Sequence, residues 1–164
     1  MIKVYQTIVD EGRGNCMQAA IASLLNLQLN DVPNFKEFGY DWFPVFNDLL
    51  HKFGYEYEGC LYNYNAFRII NKRKNVKSAD LRTRFNKIKK MEGVDGYFYA
   101  SVYSPKYYNP NDEPPVTHAV IINKSLNIVH DVNPEYNEAT QYPETKKLKY
   151  NGILNVFMIN PVLK

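Results

Sequence analysis

Apolar positions along the chain switch between two periods, and the switch divides it into a helical first half and a strand-rich second half. "MIKVYQTIV" alternates loosely and predicts a short strand or extended arm; "DEGRG" after it is a turn with two glycines. From Asn15 the spacing becomes helical, with Met17, Ala20, Ile21, Leu24 and Leu25 on one stripe. Asn15 is placed as an N-cap, which sets Cys16 in the first turn. "LNDVPNF", with Pro33, ends that helix. "WFPVFNDLLHKFG" predicts a second, with Phe46, Leu49, Leu50 and Phe53 inward and Gly54 as its stop.

"YEYEGCLY" then alternates like a strand, and Cys60 within it reads as a small buried residue. "KSADLRTRFNKIKKMEG" predicts a third helix, capped by Ser78, buried through Leu81, Phe85 and Ile88, and stopped by Gly93. Strands dominate from there: "YFYASVY", a Tyr- and Pro-rich loop over 103–115, a hairpin from "VTHAVIIN" and "LNIVHDV", and a last strand in "GILNVFMIN". Helices followed by antiparallel strands predict an α+β domain, and no repeat or linker divides residues 1–164.

The hairpin brings chemistry with it. A two-residue loop at Lys124 and Ser125 sets His118 opposite Asp131 on the same side of the sheet. A turn at Asn123 and Lys124 would set His118 opposite Val129, with Asp131 its diagonal neighbour. His130 points the other way in both registers. Asp131 is therefore the residue able to orient the His118 imidazole; the plainer reading is a half-buried strand histidine satisfied by a nearby acid. Zinc would use the same residue types, but Cys16, His118, His130 and Asp131 lack close ligand pairing, so no metal is expected.

Composition narrows the setting. The 164 residues are 45% apolar and 15% aromatic, which excludes a disordered chain and allows a sizeable core. Two cysteines make no disulfide framework and, with no secretory segment read at the N-terminus, point to a reducing compartment. Apolar runs reach only strand length, so no membrane partner is expected. The net charge of +3 hides an uneven distribution: residues 68–90 carry +9 and the remainder −6. That basic segment suits a solvated helix face or an acidic partner; nucleic acid is not the expected partner.

Cys16 is the remaining question. A thiol is nucleophilic as thiolate, and a helix N-terminus together with an imidazolium lowers its pKa. Gly12 and Gly14 permit close backbone approach, leaving first-turn N–H groups free for an oxyanion. Taken together, Gln6, the Gly-rich turn, "GNCMQAAIASLLNL" and "THAVIIN…IVHDVNP" resemble the papain-like cysteine peptidases. Within that superfamily they are most similar to small bacterial and phage domains related to the leader peptidases of bacteriocin exporters. The likeness covers the first 33 residues and residues 117–134, and leaves 60–115 unmatched, so the basic helical segment 68–92 reads as a family-variable insertion.

The resemblance implies a papain-like fold with the nucleophile at the start of the first helix. It assigns Cys16 as nucleophile, His118 as general base and acid, Asp131 as orienter, and Gln6 as side-chain donor to the oxyanion. Asn133 is the alternative orienter, since "HDVNP" delays the proline that often follows the Asp directly. The implied activity is a cofactor-free hydrolase of peptide or isopeptide bonds acting on a polypeptide in the cytoplasm of a bacterium or phage-infected host. A deamidase or transglutaminase-like acyltransferase would use the same residues. A non-catalytic module docking through residues 68–90 is the reading from another class.

Overall fold

Ten consecutive residues, Cys16–Leu25, form the first helix, α1, and from Gln18 onward every one is buried. A single apolar stripe was expected, but Ala19, Ala20, Ala22 and Ser23 are small enough for neighbouring elements to close on the other faces as well. The helix stops at Asn26, whose left-handed backbone (φ 58°, ψ 39°) lets its N–H return to the last carbonyls. Two 3₁₀ segments, Leu29–Asp31 and Phe35–Asp41, lead into α2, Trp42–Lys52. Phe46, Leu49 and Leu50 are its buried face. Phe53 is a correction: it lies just past the helix end, exposed, with the Lys52 ammonium 5.6 Å from its ring centre.

The computed structural model describes residues 1–10, 14–62, 86–103, 117–135 and 153–162. Ser78, Leu81 and Phe85 of the expected third helix lie outside them, as does most of the 103–115 loop. The described end of the basic segment, 86–90, is helical, with Ile88 buried and Lys87, Lys89 and Lys90 exposed. Gly93 follows at φ 67°, and a Cβ there would sit 2.6 Å from both Tyr97 O and the Phe98 ring, so glycine is required for the stop.

The strands are β1 (Tyr55–Tyr62), β2 (Tyr97–Tyr103), β3 (Thr117–Asn123), β4 (Ile128–Asp131) and β5 (Ile153–Pro161). They form one antiparallel sheet in the order β1-β5-β2-β3-β4, so the protein is α+β. Alternation along the strands splits the core in two. Tyr99, Ala119, Ile121 and Ile159 pack with α1 and α2; Phe98, Ala100, Val120, Ile122 and Val156 pack with Ile88, Met91 and Leu126. Burying a side chain such as Phe46 or Ile88 contributes about 1.5–3 kcal/mol. Among the described residues no helix is long and apolar enough to cross a membrane.

The N-terminal residues form an arm rather than a strand. Val4 N–H donates to Ser23 Oγ at 2.8 Å and Gln6 N–H to Val132 O at 2.8 Å. The arm thus bridges α1 and the chain just beyond β4.

Candidate active site

Cys16 owes its position to the turn before it. Gly14 N–H donates to Asp10 O at 2.8 Å and Asn15 N–H to Ile8 O at 3.2 Å, folding the chain back before α1 begins. A Cβ on Gly14 would come 2.6 Å from Asp10 O, closer than the backbone there tolerates. Asn15 occupies the N-cap position, but its side chain makes no cap hydrogen bond. That corrects the expected cap. Its carbonyl accepts the Ala19 N–H at 3.1 Å, while its amide faces the N-terminal arm. First-turn N–H groups of α1 are therefore not taken by the side chain that would normally claim one.

His118 comes to the thiol from β3. The ring and the Cys16 sulfur share a hydrogen bond, and the sulfur also meets the Ala119 backbone. On the other side of the ring, Nε2 stands 2.7 Å from Asp131 Oδ1, with both side chains buried. Asp131 occupies Nε2, so Nδ1 is the nitrogen left to the thiol. Burial alone would push the Cys16 thiol up, but the hydrogen bond and charge of His118, the Ala119 backbone and the Lys36 charge outweigh it. The thiol lies below its ordinary 9.0. Burial likewise disfavours charge on His118, yet the hydrogen bonds to Asp131 and Cys16, and their negative charges, raise it to about 9. A thiolate facing an imidazolium backed by a carboxylate is the state these shifts favour.

The hairpin reaches this arrangement by neither expected register. Leu126 takes a left-handed backbone (φ 62°), and Leu126 N–H and Asn123 N–H bond to Asn123 O and Asn127 O at 2.8 and 3.1 Å. The loop therefore has three residues, not two. Ile122 pairs with Ile128, a register that, continued, would turn Asp131 away from His118. A bulge then intervenes, so that Ile121 pairs with His130 and Val120 with Asp131. The extra loop residue and the extra bulge residue each shift the register by one, and the two shifts together restore the face. Asp131 ends diagonal to His118 and on its side.

Asn133 does not take the orienting position: its Oδ1 accepts the Glu135 N–H at 3.0 Å, and its own N–H donates to Asp131 Oδ1 at 2.9 Å. It braces Asp131 instead. His130 faces elsewhere, its Nε2 2.8 Å from Val4 O and its ring edge-on to Tyr5. Gln6 is buried, and the arm stretches it between the two halves of the site. Its own N–H is held by the residue after Asp131, and its neighbours Thr7 and Ile8 are held by the residue before Cys16.

Cys60 contrasts with Cys16. It is partly buried, and burial pushes its thiol up to about 11 against opposing hydrogen bonds with Tyr62, the Val156 backbone and Tyr57. No neighbouring cation among the described residues activates it. Among the described residues no three His, Cys, Asp or Glu side chains converge as metal ligands.

Sequence reasoning missed Asn15 as a side-chain anchor, Gln18 and Lys36. Gln18 offered a signal: it is polar three residues after Asn15 in an otherwise apolar run, and its Oε1 accepts from Asn15 Nδ2 at 3.0 Å. Its Nε2 donates to Leu29 O and Val32 O at 3.0 and 2.7 Å. Lys36 had no such signal, because only folding brings its charge toward Cys16. Compared with family models, with curated proteins and with solved structures, the chain matches none.

Proposed function

We propose that the protein is a cysteine-dependent hydrolase of papain-like architecture, cleaving peptide or isopeptide bonds in a polypeptide through a thioester intermediate. One observation carries the reading. A thiol at a helix start shares a hydrogen bond with an imidazole whose far nitrogen is 2.7 Å from a buried carboxylate. A helix bearing the thiol, packed on an antiparallel sheet bearing the base, supports the papain-like assignment.

The Cys16 thiolate attacks the carbonyl carbon, and the C=O electron pair moves onto oxygen. The Gln6 amide and the Cys16 backbone N–H hold that oxyanion. The His118 imidazolium gives its proton to the departing amine, and the C–N bond breaks to leave a thioester. His118, neutral again, takes a proton from water, whose oxygen displaces the thiolate. Asp131 keeps the ring turned toward the sulfur throughout. No step needs a metal or organic cofactor, and the thiol requires a reducing setting, as in the cytoplasm of a bacterium or phage-infected host.

Alkylation by iodoacetamide at mildly acidic pH tests the core of the reading. Cys16 should be labelled, Cys60 should not, and Cys16→Ala should abolish the reaction. Equal labelling of the two thiols across pH would sink it, leaving a binding module with the basic 68–90 segment as its docking surface. Incubation with peptide libraries then sorts the chemistry by product. Chain cleavage marks a peptidase, ammonia release a deamidase, and a new amide a transglutaminase-like transferase.

A further inference from the structure

We infer that Asn15 is a positioning residue for Gln6, an inference that rests on the proposed roles of Cys16 as acyl-transfer nucleophile and of the Gln6 amide as oxyanion donor. Its side chain spends all its hydrogen-bonding capacity, three bonds on the arm and one on Gln18 of α1. Oδ1 accepts the N–H groups of Thr7 and Ile8 at 3.1 and 3.0 Å. Nδ2 donates to Thr7 Oγ1 at 3.2 Å and to Gln18 Oε1 at 3.0 Å. Gln18 is in turn anchored on Leu29 O and Val32 O, so the amide cannot swing without breaking a buried chain of bonds.

The other end of the arm is fixed independently, by Gln6 N–H on Val132 O at 2.8 Å. Gln6 thus sits between one bond to the residue following Asp131 and two to the residue preceding Cys16. A side chain that served only to start α1 would bond the helix's own N–H groups, and Asn15 does not. What it secures is the distance between the nucleophile and the arm.

Two reagents separate positioning from simple stability. With iodoacetamide the Cys16 sulfur forms a bond to carbon as iodide leaves, and no oxyanion develops. With p-nitrophenyl acetate the thiolate adds to the carbonyl, an oxyanion forms and collapses, and p-nitrophenolate leaves a thioester. The readout is the ratio of acylation to alkylation rate at Cys16, measured on the full chain with Cys60→Ser in the background.

Asn15→Ala should lower that ratio about 10- to 100-fold, the scale of a misplaced or lost oxyanion donor. The alkylation pH profile should stay in place. Asn15→Ser should behave alike; it supplies a good helix cap but cannot span to both arm amides, so it covers the case in which the alanine variant fails to fold. Gln6→Ala should lower the ratio at least as far, and adding Asn15→Ser to it should lower it no further.

A ratio unchanged in Asn15→Ser, or an additive loss in the double variant, overturns the inference. A wild-type Cys16 that alkylates with the pH dependence of an ordinary thiol overturns the functional reading itself and the inference with it.

Discussion

Asp131 stands diagonal to His118 across the β3–β4 pair, its Oδ1 2.7 Å from the ring Nε2, and the same oxygen accepts the Asn133 N–H. That doubly engaged carboxylate holds the imidazole's charge and its orientation.

Replacing Asp131 with Asn removes the charge but keeps the shape. The ring loses its strongest stabilising partner, His118 drops from about 9, and the thiolate loses the cation facing it. Acyl transfer should fall about 10²–10⁴-fold, by analogy with carboxylate removal in other triads. Asp131→Ala should also cost about 1–3 kcal/mol of stability, because it leaves the buried His118 Nε2 without its partner. Steady-state rates on a cleaved peptide and urea unfolding check the two effects.

The pH dependence of stability has a definite sign. His118 is raised from 6.5 to about 9, so its contribution is fully present below 6.5 and is lost as pH rises through about 9. Cys16 is lowered from 9.0, so its contribution is present above 9.0 and is lost as pH falls through the lowered value. The two slopes oppose each other between these limits. Cys16→Ala removes the rising one and part of what raises His118, leaving Asp131 to hold the ring up, so its stability should decline more steeply than wild type just above pH 6.5 in urea titrations. Parallel curves would contradict the paired state.

His130 and His118 are separable by labelling. His130 bonds Val4 O and not the thiol, so His130→Leu should leave the pH profile of Cys16 alkylation in place. The lost bond to a part-buried carbonyl should cost about 1–3 kcal/mol in thermal or urea unfolding. His118→Ala should do the reverse to the labelling: Cys16 should react as an ordinary or weaker thiol below pH 8. Mass-spectrometric mapping of the alkylated peptide reads both.

Gly14→Ala tests the turn that sets Cys16. The new Cβ would meet Asp10 O at 2.6 Å, and that atom is backbone, so the turn itself must open. A loss of about 1–3 kcal/mol follows from overpacking of this kind. Acylation of Cys16 should slow with it, since the Asp10–Gly14 bond closes the loop on which the nucleophile is carried.

Local chemistry along the chain was enough to place α1 and α2, most of the sheet strands and the start of the nucleophile helix, because 3.6- and two-residue periods and the glycine stops are written in neighbouring residues. It was also enough to put Asp131 on the side of His118. Both expected registers shared that parity, and the observed one keeps it because a three-residue loop and a bulge each shift the pairing by one.

The loop itself was not legible. Leu126 lacks the usual glycine or asparagine signal for a left-handed position, and its burial in the second core, at 4% exposure, holds it there.

Only the folded chain decided that Cys16 meets His118, that Lys36 adds its charge, and that Asn15 grips the arm instead of capping its helix. These are contacts between segments far apart in sequence or turned to an unexpected partner. Their energies come from the burial and mutual hydrogen bonding of groups that no local period records.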